Sequence, residues 1–347
     1  MSEHVSLDRT SIRRAIAVLV AVLAFQCVFA LSYVGAFHDP HADELQIGVV
    51  APSAEVGAAV AAQLAAADPT LDPQLVADET TARDQLLNQD LSAALIVGLK
   101  EDRLLTVSAS SPSIAQSLVS GLTAAEQGLG RTLTVEDVAP LPQEDSRGLV
   151  PFYLVLALVV GGYLGATVLT LAGGPFVRSS RHALARSAAL IGYAVVSGIV
   201  VTAMVAAAFD VLSGHLLAVA AAGALTVASV ALASAAFQAH LGMAGTAAVL
   251  VLFVAIGNPA SGGPAARPLL PGFFATVGRW LPNGAATDLV RSITYLDAHA
   301  LAQPLLVLVG WGVAGFVALL LARRVRSSGS ASAAIVEAEA AAVVAAG

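Results

Sequence analysis

Charged residues and cysteine are both scarce in this chain of 347 residues. Only 12% of the residues are charged, whereas soluble domains carry about 25%, so a globule would have too little polar surface to face water on all sides. Cys27 is the only cysteine, which excludes a disulfide within the chain. The net charge of −7 argues against nucleic-acid binding, which relies on a basic surface.

Motifs for nucleotide hydrolysis, hydrolase chemistry and metal binding are missing as well. Lys100, the only lysine, is followed by Glu101 and not by the Ser or Thr of a phosphate-binding P-loop. The patterns GxSxG, HExxH and CxxC do not occur. We therefore expect no enzymatic activity, no cofactor and no metal, and any ATP-driven step would need a separate ATPase subunit.

Long apolar runs take the place of these motifs. The chain is 57% hydrophobic, with a mean hydropathy of +0.80. The first run, residues 15–37, follows Arg13 and Arg14 and exceeds the roughly 7–15 residues of a signal-peptide core. It is long enough to cross about 30 Å of hydrocarbon. We therefore predict an uncleaved transmembrane anchor, with residues 1–14 in the cytoplasm.

Residues 38–148 differ in character from the apolar runs on either side. Strand-like stretches alternate there with helical ones, and this alternation predicts a small α/β domain. The predicted strands are 46–51, 74–77, 93–97, 104–109 and 132–138, and the predicted helices are 54–67, 80–88 and 114–129.

The rest of the chain, residues 149–325, predicts a transmembrane domain of five helices. The predicted spans are 149–172, 188–209, 216–237, 241–257 and 304–322. The expected fold is thus a mainly α membrane protein, a six-helix transmembrane bundle with a small α/β domain inserted between helices 1 and 2. Residues 326–347 form a tail.

The arginines indicate an orientation. Lys and Arg are enriched in cytoplasmic loops, and six spans put three arginine clusters on one side of the membrane: Arg13 and Arg14; Arg178, Arg181 and Arg186; and Arg323, Arg324 and Arg326. Both termini and the tail are then cytoplasmic, and residues 38–148 are extracytoplasmic. One conflict remains, because Arg267, Arg279 and Arg291 fall in a loop that this orientation places outside.

That loop, residues 258–303, is the most informative part of the sequence. Apolar stretches too short to span alternate in it with Pro, Gly and Asn turns, a pattern typical of segments that re-enter the membrane. Two readings stay open: a gate at the outer end of a translocation path, or an aromatic-belt loop that anchors the bundle. The candidate gate residues are Asn258, Pro259, Ser261, Gly262, Gly263, Phe273, Phe274, Trp280, Pro282, Asp288 and Arg291. The last two are three apart on a predicted helix over 285–296, so we expect them to pair.

Four strings in this loop resemble a known family. They are NPASGG at 258–263, LPGFF at 270–274, WLPNG at 280–284 and DLVRS at 288–292. They resemble the last extracytoplasmic loop of ABC-2-type membrane permeases, in particular the phage-infection-protein branch, and are also similar to the nitrosoguanidine-resistance protein family. Those proteins share the layout of one span, a large external domain and five more spans. The resemblance implies a permease fold that works with a separate ABC ATPase.

Two functions from different classes follow. The favoured one is a permease subunit of an ABC-2-type exporter in a bacterial plasma membrane, moving an amphipathic or cell-envelope-related molecule as a homodimer or with a sister permease. The alternative is a non-transporting scaffold or receptor whose external domain binds a partner. Arg178, Arg181 and Arg186 could contact the ATPase or serve only as a positive anchor on the cytoplasmic side.

Overall fold

The computed structural model describes residues 9–40, 42, 44–128, 130–209, 211–212 and 214–322. The arginines Arg323, Arg324 and Arg326 and the predicted tail over 326–347 lie outside the described residues.

An α/β unit follows the first helix. Its five-stranded sheet has the order β2-β1-β3-β4-β5, in which only the β3–β4 pair is antiparallel. The elements in chain order are α1 (Arg9–Phe37), β1 (Leu45–Val50), α2 (Ala54–Ala67), β2 (Leu71–Leu75), α3 (Glu79–Leu87), β3 (Ala93–Ile96), β4 (Glu101–Thr106), α4 (Pro112–Gly128) and β5 (Thr132–Asp137).

Hydrophobic side chains cover both faces of this sheet. Side chains alternate across a strand, and on β1 the inward face of Leu45, Ile47 and Val49 packs with residues of α2 and α4. The opposite face packs against α3, through Ala82 and Leu86. The helices begin at polar caps, as when Ser53 accepts from the Val56 N–H at 3.3 Å at the start of α2. The unit therefore has a core of its own on each side of the sheet.

A helical bundle follows the α/β unit. Its elements are α5 (Val150–Gly173), α6 (Ser180–Phe209), α7 (Leu216–Leu241), α8 (Met243–Val249) with a π-helical continuation (Leu250–Ile256), α9 (Gly272–Gly278), α10 (Pro282–Tyr295) and α11 (Ala302–Ala322). Among the described residues, five helices are long and apolar enough to cross a membrane: α1 from Ile16 onward, α5, α6, α7 and α11.

The span predicted over 241–257 is a shorter helix than expected. It covers Met243–Ile256, and its second half is π-helical, with the Gly257 N–H donating to the Leu252 carbonyl at 2.9 Å. Pro259 ends the helix at this point, because proline has no N–H to continue the hydrogen-bonding ladder. The sixth spanning helix expected over 241–257 is therefore not confirmed, because the helix found there has 14 residues and is shorter than the predicted span.

The helices α7 and α11 lie side by side and run in the same direction. The Ser229 hydroxyl donates to the Leu308 carbonyl at 2.6 Å, and His240 Nε2 lies 3.0 Å from the Ala318 carbonyl oxygen further along both helices. Since consecutive antiparallel helices alternate in direction, the chain between α7 and α11 must return along the bundle. That return consists of α8, its π continuation and residues 258–303.

Among the described residues, helix α1 contacts the bundle through one face, a stripe of aromatic side chains along the helix. Its aromatic side chains recur every four residues: Phe25, Phe29, Tyr33 and Phe37, and they are half-buried. The rest of α1 exposes large apolar side chains, including Leu19, Leu23 and Leu31. Such a surface is typical of a helix that faces lipid.

Candidate functional site

Residues 258–303, called here the return segment, form a hairpin of two helices inserted into the bundle. At its tip, between α9 and α10, the Trp280 carbonyl accepts from the Trp311 indole N–H at 2.7 Å, near the middle of α11. At the other end of α10, the Tyr295 hydroxyl donates to Asp145 Oδ2 at 2.7 Å, beside the α/β unit. The hairpin thus reaches from the α/β end of the molecule to about half the length of α11.

Helix α10 is buried along almost its whole length. Ala285, Leu289 and Val290 belong to the same hydrophobic core as α5, α7 and α11, and Leu296 packs into the α/β unit beneath α3. The helix begins at Pro282. The first N–H groups of a helix have no partner within it, so a proline at this position loses no hydrogen bond. The sequence predicted a turn over 282–284 and a helix from 285, so the observed helix starts three residues earlier.

An asparagine pair fastens the start of α10 to the end of the π helix. Asn283 Nδ2 donates to the Phe253 carbonyl at 2.9 Å and to Asn258 Oδ1 at 2.7 Å. Ser261 continues the turn, because its hydroxyl donates to the Asn258 carbonyl at 2.7 Å and accepts from the Gly263 N–H at 3.4 Å. Buried amides need partners. The Asn283 Nδ2 group has two, one on the π helix and one on Asn258, whereas Asn283 Oδ1 has no hydrogen-bond partner among the described residues.

Two glycines allow the backbones of the hairpin to approach closely. A Cβ atom on Gly278 would lie 1.8 Å from the Ala260 carbonyl oxygen, and one on Gly284 would lie 2.1 Å from the Gly278 carbonyl oxygen. No side chain fits at these distances. The turn at 258–263, α9 and α10 therefore pack backbone against backbone.

A buried carboxylate joins two arginines in the return segment. Asp288 Oδ2 accepts from Arg267 Nη2, and its Oδ1 lies 3.8 Å from Arg291 Nη1. Arg291 also donates to the Gly262 carbonyl at 3.2 Å. Both Asp288 and Arg291 are 6% exposed. The predicted pair therefore forms, and Arg267, which the sequence did not single out, completes it.

The aromatic candidates divide into two groups. Phe274 is buried and packs with Ala36 of α1 and with Ala260. Phe273 and Trp280 are 59% and 65% exposed. Phe274 therefore fixes the hairpin to α1, and Phe273 and Trp280 face outward, although the Phe273 ring still contacts that of Phe274, with 5.2 Å between the ring centroids.

The predicted cytoplasmic contact residues lie between α5 and α6 and in the first two turns of α6. Arg178 precedes α6, whereas Arg181 and Arg186 belong to it. Arg178 and Arg181 are exposed. Arg186 is buried; its Nη1 donates to the Gly174 carbonyl at 3.2 Å, and its Nη2 contacts Thr170 Oγ1. Only the first two can present a charge to another subunit, whereas Arg186 holds the loop itself against α5.

A cavity of about 560 Å³ separates the return segment from the α/β unit. On one side it is lined by residues 88–92 and by residues near the start of α4, and on the other by Arg267, Asp288 and Arg291. The cavity lies next to the gate candidates, and Arg267, Asp288 and Arg291 make that wall of it charged.

A family model described as an ABC-2 family transporter protein matches residues 15–321. The match begins in α1 and ends within α11, so it includes both the α/β unit and the return segment. No curated protein and no solved structure matches the chain.

Proposed function

Because the chain belongs to the ABC-2 family of transporter proteins, we propose that it is the permease subunit of an exporter that moves an amphipathic or cell-envelope-related molecule. It is a multi-pass membrane protein, and permeases of this family typically work with a separate ABC ATPase. We assign it to the phage-infection-protein-like branch on the strength of the four strings in the return segment.

The orientation we propose puts the α/β unit outside the cytoplasm and both termini inside a bacterial plasma membrane. Exposed Arg178 and Arg181 lie at the ends of the helices away from the α/β unit, which agrees with the positive-inside rule. At the opposite end, Arg267 and Arg291 share Asp288. Two of the three conflicting arginines are thus partly neutralised and weigh less against this orientation.

The sixth crossing, in this proposal, is composite. The helix Met243–Ile256 has 14 residues and at 1.5 Å per residue covers about two thirds of a 30 Å hydrocarbon core. The return segment completes the passage. Its irregular turn at residues 258–262 is buried in protein, the condition under which non-helical backbone is tolerated at membrane depth.

The observation that carries the proposed mechanism is the hairpin itself. Helices α9 and α10 enter from the α/β end and are held by Asn283, Asp288 and Tyr295, side chains that anchor the hairpin at its tip, middle and top. We propose that this hairpin closes the outer end of the translocation path. The ATPase docks at the loop carrying Arg178 and Arg181, and the functional unit is a homodimer or a pair with a sister permease.

The hairpin can be tested without disturbing its buried polar contacts. Phe273→Ala with Phe274→Ala removes both rings at the start of α9. Because Phe274 is buried against α1, the double variant should lose some stability, so efflux is compared at equal membrane abundance, and we expect it to be lost. Leu99→Ala is the matched control, because Leu99 is 94% exposed on the α/β unit. Efflux equal to wild type in the double variant would make the hairpin a passive anchor and would favour the scaffold alternative.

A further inference from the structure

The cavity between the α/β unit and the return segment has an excess of positive charge. Arg267, Arg279 and Arg291 line it, against the carboxylates of Asp90 and Asp288. Asp288 is already shared by two of the arginines, and Asp90 is exposed. A net charge of about +1 in a partly enclosed cleft attracts anions, since the low-dielectric walls strengthen the field.

Buried donors in this cleft lack partners. The Nε atoms of Arg267 and Arg291 have no hydrogen-bond partner among the described residues. The Arg291 side chain is only 7% exposed, so its remaining donors are shielded from bulk water. Unmet guanidinium donors are suited to a carboxylate or phosphate, which accepts several N–H bonds at once.

The α/β side of the cleft favours an anion too. The cleft is lined there by Ser110 and Ser111, the two residues before α4. The Ser110 hydroxyl is buried without a partner among the described residues, and the first turn of α4 contains no acidic residue. The start of a 17-residue helix carries partial positive charge. The α/β wall therefore offers the start of α4 to an anion, whereas Ser110 Oγ has almost no accessible surface and the Asp90 carboxylate on this wall opposes an anion.

An apolar groove adjoins the cleft. It has a volume of about 620 Å³ and runs along α11, lined by Leu306, Gly310 and Trp311 among others. Trp280, Ala302 and Gln303 line both the groove and the cleft, so the two cavities meet at these residues. The groove is lined almost entirely by apolar groups, as an acyl chain requires.

We propose that the cleft and the groove together bind one amphiphile, with an anionic head group between Arg267, Arg279 and Arg291 and an apolar chain along α11. The proposal that this is a substrate site rests on the proposed function. It narrows the expected substrates from amphipathic molecules in general to anionic ones. Binding itself needs neither ATP nor the ATPase, so the two proposals can fail separately.

The two tryptophans of the chain provide a local probe. Both of them, Trp280 and Trp311, line the groove. The full chain is purified in a neutral maltoside detergent and titrated with bromododecyl phosphate or with bromododecyl phosphocholine, which share one quenching tail. We expect half-maximal quenching of tryptophan fluorescence at a concentration of the anionic amphiphile about fivefold lower than that of the zwitterionic one. A preference of this size is expected for a charge-assisted hydrogen bond that is partly exposed to water.

The variants target the exposed arginine, so that folding is preserved. Arg279→Gln should abolish most of the head-group preference, and Arg279→Lys should retain much of it. Arg147→Gln, which removes a charge from the exposed linker outside the cleft, should behave as wild type. Thermal unfolding of each variant in the same detergent checks that the fold is intact.

Three results would overturn the assignment. One is equal quenching by both amphiphiles; another is a head-group preference unchanged in Arg279→Gln and in Arg291→Lys. The third is stabilisation by inorganic phosphate equal to that by the alkyl phosphate, which would make the cleft a site for a free anion. Selective binding without ATP-driven transport would instead contradict the proposed function and leave this site standing.

Discussion

The Asp288 carboxylate contacts two arginines, Arg267 and Arg291, which come from different parts of the return segment. Removing the carboxylate leaves Arg267 and Arg291 close together and without a counter-ion in a buried setting. Loss of one partner from a buried ion pair is costly because the remaining charge stays desolvated.

We expect Asp288→Ala to destabilise the protein by about 3–5 kcal/mol, the range for breaking a buried ion pair. Asp90→Ala, at an exposed position, should change stability by less than about 0.5 kcal/mol. Thermal unfolding of the purified variants and their abundance in the membrane measure the difference. Equal stability of the two variants would show that the carboxylate is not needed to hold the hairpin.

Gly278 offers a second test at the residue scale. The expected Cβ contact of 1.8 Å with the Ala260 carbonyl forces α9 away from the turn, and overpacking of this kind costs about 1–3 kcal/mol or more. Gly272, in the same helix, has nothing within 4 Å of its Cβ position. Gly278→Ala should lower the unfolding temperature, whereas Gly272→Ala should leave it unchanged or slightly raised. A harmless Gly278→Ala would contradict the close packing described here.

At the scale of elements, the sequence predicted the helices and strands of the α/β unit well and those of the return segment less well. The alanine-rich stretch 54–67 was predicted to be helical, and it forms α2 over the same residues. Hydropathy predicted a span over 241–257 but cannot distinguish a continuous helix from a shorter one that ends in a π turn. The start of α10 was missed because PNG is typical of turns, and only the tertiary contacts of Asn283 show that it begins a helix.

The same limit applies to the arginines at and just before the start of α6. Three arginines in one short stretch look alike in sequence, yet Arg186 is buried against Gly174 and Thr170, and Arg178 and Arg181 are exposed. Burial depends on which face of α6 meets α5 and α7. The weak periodicity of an alanine-rich helix leaves that face undetermined.

We therefore expect Arg186→Ala to affect the stability of the chain and Arg181→Ala to affect its association with the ATPase. Arg186→Ala removes the donors to the loop carbonyls and should lower the unfolding temperature of the isolated chain. Arg181→Ala should leave that temperature unchanged and reduce co-purification of the ATPase. The comparison uses thermal unfolding in detergent and a pull-down from membranes. Weakened ATPase association without loss of stability in Arg186→Ala would show that this residue contacts the partner after all.

At the scale of the whole molecule, the orientation of the α/β unit decides what the cleft can do. A reporter inserted at Asp90 should give an extracytoplasmic signal, and reporters at Ser179 and after Arg326 should give cytoplasmic signals, because the exposed arginines favour the inside. Alkaline phosphatase and green fluorescent protein fusions measure the two sides. A cytoplasmic signal at Asp90 would contradict the proposed orientation of the α/β unit and of the spanning helices.

Energy supply from a second subunit is the central proposal for the molecule as a whole, and the family match supports it. The most direct measurement is to purify the tagged full chain from its native membranes, identify the proteins that accompany it and assay ATP hydrolysis. We predict that an ABC ATPase co-purifies, that hydrolysis depends on the Walker lysine of that subunit, and that Lys100→Ala in this chain changes nothing. Hydrolysis by the chain alone that Lys100→Ala abolishes, or recovery of an envelope partner with no ATPase, would contradict the account.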